Sequence, residues 1–185
     1  GDTGDPLKVA VLHPGALDGR ARYKPADPRP TFPNGCHIAE VEIDPETGTT
    51  KVARYSLCDD LGILVNPMLV QGQIHGGVAQ GLGQALLEDV VYSDDAQLVT
   101  GSFMDYAMPR AADIPDLVCH FDESTPSPLN VLGAKGAGES GTIGAMPSII
   151  NAIIDALDGV QIEMPATVEK VWRACQALET RVAAE

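Results

Sequence analysis

Positive charge is scarce in this sequence: 12 Lys and Arg stand against 26 Asp and Glu, giving a formal net charge of −14 over 185 residues. Nucleic acids and anionic membrane surfaces reward basic patches, so neither is expected as a partner. Cysteine is scarce too. The four, Cys36, Cys58, Cys119 and Cys175, lie far apart, form no C-x-x-C pair and carry no zinc or iron–sulfur spacing. A disulfide framework is not expected in a chain this long, and each is expected to be a small buried apolar residue. No apolar run is long enough to span a bilayer, no secretory leader is recognisable, and a cytoplasmic location is the expectation. Aromatics make up 4% of the chain, and its single Trp, Trp172, is expected in the core. The opening Gly-Asp-Thr-Gly-Asp-Pro lacks Met, as an excised or processed piece of something longer would.

Glycine and proline are plentiful, at 19 and 14 residues, beside 44% apolar residues. That composition predicts a globular, loop-rich protein. Residues 1–33, broken by Pro14, Pro25, Pro28, Pro30 and Pro33, read as an extended N-terminal segment with one short strand over Leu7–Leu12. Residues 34–185 read as the domain proper. Cys36–Asp44 and Thr49–Leu57 alternate in polarity around Asp44-Pro45-Glu46-Thr47-Gly48, which predicts an antiparallel hairpin. His37, Ala39, Val41 and Ile43 share one face of its first strand. Asp59 and Asp60 read as turn residues closing the second.

Asn66-Pro67 is an N-cap followed by proline at the first helical position, and the helix should run to about Glu88. Ile74, Val78, Leu82 and Ala85 form its apolar stripe, with His75 at the edge. Gly72, Gly76, Ala79 and Gly83 fall on a small-residue face, and Gln73, Gly77, Gln80 and Gln84 on an amide-rich one. Five glycines inside one helix weaken it by roughly 5 kcal/mol relative to alanine. Close packing against another element, or a flat ligand pressed on the small face, has to offset that. Asp89–Tyr92 and Gln97–Thr100 suggest a second hairpin, and Leu117–Asp122 a further strand. Met146–Leu157 reads as a helix, with Ile149, Ile150, Ile153, Ile154 and Leu157 inward. Pro165 opens a last helix through Val168, Val171, Trp172, Cys175, Leu178 and Val182. Short strands followed by segregated helices indicate an α+β fold: antiparallel hairpins and a small mixed sheet packed against about three main helices.

The stretch Gly133–Gly144 places five glycines in twelve residues just ahead of a helix. Such a loop can cradle an anion or a cofactor. It holds one carboxylate, Glu139, and one cation, Lys135, and lacks the Walker order of residues. Glu139 on these features is either a general base within reach of a ligand or an ordinary solvated glutamate.

Three blocks then carry a family resemblance. GAKGAGESGTIGAMPSIINAIID (133–155) resembles the C-terminal active-site segment of the molybdenum hydroxylases, the family of xanthine dehydrogenase, aldehyde oxidoreductase and the large subunit of aerobic carbon monoxide dehydrogenase. CDDLGILVNPMLVQGQIHGGVAQGLGQALLE (58–88) is similar to that family's D-x-G-x-x-x-N-P…GQ-x-x-GG-x-x-QG-x-G helix, and TFPNGCHIAEVEIDPETG (31–48) to the hairpin before it. Ser140 stands where many relatives have proline. The resemblance implies the C-terminal part of a molybdopterin-binding large subunit, hydroxylating an aldehyde or an N-heteroaromatic carbon with water as oxygen source. It implies that Glu139 is the base, taking a proton from a molybdenum-bound hydroxyl. It also implies that Gln80 faces the cofactor and that Lys135, Gly136, Ala137 and Gly138 lie close to it. Asp60 and Asn66 would sit nearer its dinucleotide part.

The implied cofactor is molybdenum-molybdopterin, as the cytosine dinucleotide, with no metal ligand, iron–sulfur cluster or FAD from this chain. The implied partners are the remainder of the molybdenum subunit, iron–sulfur and FAD subunits or domains, and a small-molecule substrate. Alone, the chain is expected to be inactive. A carbon monoxide dehydrogenase-type fragment and a non-catalytic interaction domain that keeps the fold are the alternatives.

Overall fold

A computed structural model describes residues 8–9, 21–22, 24 and 27–183. Two short strands, β1 (Lys8–Val9) and β2 (Ala21–Arg22), pair antiparallel. The rest of the strand expected over Leu7–Leu12, all the prolines before Pro28 and the Val182 side chain lie outside the described residues.

The main sheet has the order β3-β4-β5. β3 (Asn34–Ile43) and β4 (Thr50–Asp60) form the expected hairpin, with a register shift between Glu40 and Val41. Its turn is built by Asp44, whose carboxylate accepts from Glu46 N at 3.0 Å and from the Thr47 hydroxyl at 2.8 Å. β5 (Leu117–Asp122) adds parallel to β4, so the sheet is mixed. Alternation sends Ala39, Val41 and Ile43 inward against the buried Val52, Tyr55 and Leu57 of β4. Among the described residues, the side chains on the opposite face of β3, such as Cys36, Ile38 and Glu40, are exposed.

Three helices share the core on the inner face. α1 (Pro67–Leu86) is capped by Asn66, whose side-chain oxygen accepts from Leu69 N at 3.2 Å. Its predicted stripe, Ile74, Val78, Leu82 and Ala85, is fully buried. α2 (Ser140–Ala156) lies against both α1 and β3, and α3 (Val168–Ala183) buries Val171, Ala174 and Cys175. Ile74, Ile149 and Ile153 at 0% exposure each contribute about 2 kcal/mol, comparable with the whole glycine penalty of α1 when summed. No described helix is long and apolar enough to cross a membrane. The α+β architecture of a small mixed sheet and three helices therefore stands as expected.

Several local expectations do not. α2 begins at Ser140 rather than Met146, so the second half of the glycine-rich stretch is the first turn of a helix. Asp59 and Asp60 belong to β4, and Asp59 is buried at 1% exposure. Tyr92 and Leu98 form one bridge around a turn, not a two-stranded hairpin. α3 starts at Val168, three residues beyond Pro165. His75 is exposed, and Trp172 keeps 42% of its surface in solvent. Cys36 and Cys58 are exposed because both fall on the open face of the sheet, while Cys175 is buried as expected.

Candidate functional site

The glycine-rich loop is tied to the end of β4 by backbone. Gly133, at φ +68°, has a carbonyl that accepts from Ile63 N at 3.0 Å and Ser127 N at 2.8 Å. Lys135 N donates to Leu61 O at 2.8 Å. Gly62, at φ +62°, faces Gly133 so closely that a Cβ there would stand 2.1 Å from Gly133 O. Only glycine satisfies both the positive φ and that approach. A side-chain latch sits over this junction: the Lys135 ammonium pairs with Asp60, and Thr125 donates to the same carboxylate oxygen. With Gly62 N donating to the other oxygen at 2.9 Å, Asp60 is held down at about 2, the Lys135 ammonium being the largest cause, then the Thr125 hydroxyl. Two predicted cofactor residues, Asp60 and Lys135, thus meet each other and hold the loop.

Beyond Lys135 the loop opens. Gly136 and Gly138 are exposed, Ala137 is half-buried, and nothing lies within 4 Å of a Cβ built on Gly138. Gln73 Nε2 of α1 donates to Gly138 O at 2.9 Å. Glu139 is the N-cap of α2, exposed, and its side chain makes no capping bond. The first N–H groups of α2 beside it have no intrahelical acceptor. Thr142, one turn on, donates to Gly77 O at 3.1 Å and to Gln80 Oε1 at 3.3 Å. The Gln80 amide nitrogen has no hydrogen-bond partner among the described residues. Gln73 therefore holds the backbone just before Glu139 and Gln80 the side chain of Thr142 just after it, from a helix that touches α2 through glycine.

That contact corrects the glycine assignment of α1. A Cβ on Gly77 would stand 2.9 Å from Thr142 N, one on Gly81 2.6 Å from Ala145 Cβ, and one on Gly141 2.6 Å from Ile74 O. The packing face is Gly77 and Gly81, against another helix. Gly72 and Gly76 of the predicted small face meet nothing within 4 Å. Asn66 is committed to capping α1 and lies about 20 Å along the helix axis from Gln80, so it is not part of the Glu139 cluster.

A buried polar chain beneath α2 was not anticipated. His37 Nε2 lies 3.0 Å from Asp59 Oδ1 and Nδ1 2.7 Å from Tyr55 Oη, which in turn lies 3.2 Å from Ser148 Oγ of α2. Burial pushes the Tyr55 hydroxyl up to about 12, the Ser148 hydrogen bond opposing and the Asp59 charge adding to it. Asp59 Oδ2 is buried without a partner among the described residues. Two glycines make the space: a Cβ on Gly35 would stand 2.0 Å from Asp59 Oδ1, and one on Gly144 2.3 Å from His37 Nδ1. His37 and Asp59 also floor a cleft of about 220 Å³ bounded by Phe32, Ser140 and Ile143. A histidine at an inward position of an otherwise apolar strand face was the available signal.

The profile of the molybdopterin cofactor-binding domain family matches residues 6–115. The chain belongs to that family. It is 42% identical over 149 residues, 80% of this chain, to the 6-hydroxypseudooxynicotine dehydrogenase complex subunit gamma of Paenarthrobacter nicotinovorans, covering 19% of that protein. It is 37% identical over 171 residues, 89% of this chain, to the carbon monoxide dehydrogenase large chain of Hydrogenophaga pseudoflava, covering 20% of it. Among solved structures, quinoline 2-oxidoreductase from Pseudomonas putida 86 superposes with a TM-score of 0.76 at 42% identity, covering 89% of this chain and 21% of that one. A Cu,Mo-CO dehydrogenase superposes at 0.80 with 33% identity, covering 87% and 20%. The chain spans about a fifth of the length of the curated relatives it matches. About a fifth of each of these solved chains has the fold described above, and the family's cofactor is molybdopterin, with molybdenum named in the Cu,Mo-CO dehydrogenase. The open Gly138 cradle, the unfilled N–H groups at the start of α2 and the unpaired Gln80 amide are donors and space of the kind a polar, anionic cofactor needs.

Proposed function

We propose that this chain forms one wall of the molybdenum site of a hydroxylase, with Glu139 as its general base. The observation that carries the reading is the setting of Glu139: an uncommitted carboxylate at the N-cap of α2, held between Gln73 and Gln80 of a second helix. The molybdenum cofactor, when bound, supplies oxygen transfer to a substrate carbon and takes up two electrons. In this chain, a Glu139 carboxylate oxygen accepts the proton released in that step. The Gln80 amide and the α2 N–H groups donate to polar atoms of the cofactor, and Gly136, Ala137 and Gly138 let it approach the backbone. Lys135 and Asp60 act through the latch, and Asn66 through the start of α1. The domain spans residues 34–185. Because Glu139 is solvent-exposed here, the remainder of a longer molybdenum subunit has to exclude water from it, and iron–sulfur and FAD components have to carry electrons away. The 185 residues alone therefore show no turnover.

An N-heteroaromatic substrate fits better than carbon monoxide. The relatives named for nicotine, 6-hydroxypseudooxynicotine and quinoline are 42–44% identical to this chain, whereas the carbon monoxide dehydrogenase large chains are 34–37% identical. The cofactor is proposed as its cytosine dinucleotide, which release of CMP from the assembled enzyme by acid would test. A cytoplasmic location completes the proposal. The decisive experiment is Glu139→Gln in the assembled enzyme. Turnover should fall by about 10²–10⁴-fold with molybdenum content unchanged by elemental analysis. Full turnover at normal molybdenum content would remove Glu139 from the mechanism.

A further inference from the structure

The open face of the sheet carries a pair of thiols that the sequence separates and the register joins. Cys36 of β3 and Cys58 of β4 are directly opposite in the antiparallel ladder, flanked by Gly35↔Asp59 on one side and His37↔Leu57 on the other. Directly opposite residues of such a ladder project from the same face with Cα atoms about 4.5–5.5 Å apart. That separation lies inside the roughly 4.4–6.8 Å window a disulfide spans. Both residues are exposed, and both thiols are free. The other two cysteines contrast with them: Cys119 and Cys175 turn toward the core, and burial pushes both thiols up. On the other edge of β4, His120 of β5 is in register with Cys58 and exposed on the same face, so an imidazole stands in the same row. No group of three His, Cys, Asp or Glu among the described residues is arranged to hold a metal ion.

We propose that Cys36 and Cys58 form a reversible dithiol–disulfide couple whose co-reactant is a low-molecular-weight disulfide. The Cys58 thiolate attacks one sulfur of the small disulfide. A bond to Cys58 forms, the small S–S bond breaks, and the departing thiolate takes up a proton. The Cys36 thiolate then attacks the Cys58 sulfur and displaces the second small thiolate, which is protonated in turn. Two protein thiols are oxidised to one disulfide and one small disulfide is reduced to two thiols. The β3–β4 hairpin already holds the two cysteines opposite each other, so closure needs little further ordering of the chain.

The test uses bis(2-hydroxyethyl) disulfide, which is uncharged and so indifferent to the acidic surface. The folded chain is exposed to it, alkylated, digested and mapped by mass spectrometry. The expected product joins the Cys36 and Cys58 peptides, lighter by two hydrogens than the sum of the two, and dithiothreitol restores both thiols. In Cys36→Ser the 2-hydroxyethylthio group should remain on Cys58 as a mixed disulfide, and in Cys58→Ser on Cys36, because the second displacement has no nucleophile. Unbridged adducts on both cysteines of the unaltered chain, an unreactive pair, or a bridge formed only after unfolding would each overturn the proposal. The two serine variants report independently, so failure of one to fold leaves the other to decide.

Discussion

Where α1 crosses α2, a Cβ on Gly77 would stand 2.9 Å from Thr142 N, and one on Gly141 2.6 Å from Ile74 O; on the same α1, Gly72 and Gly76 meet nothing within 4 Å. The same division runs through the glycine-rich loop, where Gly133 is pinned against Ile63 and Pro126 while Gly138 faces open space. Glycine therefore serves two purposes in this chain. In one set its missing side chain is already used, because a neighbouring backbone or side chain occupies the place of its Cβ. In the other it is unused within these residues, although each helical glycine still weakens α1 by about 1 kcal/mol. The used set fixes where Glu139 stands. The unused set borders Gln73 and Glu139, on the surface where a cofactor or a further part of a molybdenum subunit would be received.

The largest effect should come from filling a used position. Gly141→Ala gains about 1 kcal/mol of helix propensity, but its Cβ meets the backbone of α1, which cannot yield as a side-chain tip can. A net loss of about 2 kcal/mol in unfolding free energy is expected, read as a lowered urea midpoint with unchanged slope. An unchanged midpoint would mean that the two helices do not meet through these glycines. Gly76→Ala should go the other way. With nothing nearby and no positive φ, it should stabilise the chain by about 1 kcal/mol. In the assembled enzyme the same substitution should lower the molybdenum retained after gel filtration. Loss of stability in the chain alone would erase the distinction between the two sets.

How much of this was readable beforehand follows from the range of the forces involved. The β3–β4 hairpin, the Asn66 cap, the apolar stripe of α1 and strand β5 rest on local alternation, turn chemistry and capping, which are written in consecutive residues. The motif blocks carried the family and drew attention to Glu139 and Gln80. Pairings across the fold were not readable. Helical-wheel reasoning placed Gly72 and Gly76 on the packing face because it knows the angle between residues but not which direction the neighbour comes from; Gly77 and Gly81 are the ones that meet α2. Asp60 and Lys135, 75 positions apart, form one latch, and Asp59 finds His37 only once the register is known. Cys36 and Cys58 were expected in the core for the same reason: exposure of a half-buried sheet depends on which side the helices cover.

The latch gives the smallest and most selective effect. Asp60 is held at about 2 by Lys135 and Thr125, below the value near 3.9 of an unfolded aspartate. A carboxylate depressed in the folded state stabilises it fully above pH of about 4, and that contribution disappears as pH falls from about 4 toward 2. Asp60→Asn should therefore cost at most about 1 kcal/mol at neutral pH, the pair being small in solvent exposure but not sealed from water. The gap between variant and unaltered chain should narrow, by more than half, in urea titrations taken from pH 6 down to 2.5. The gain from Gly76→Ala involves no carboxylate and should stay constant over the same range. An Asp60→Asn penalty that persists unchanged at the acid end of that range would mean that the cost comes from the shape and uncharged hydrogen bonds of the side chain and not from its ion pair with Lys135.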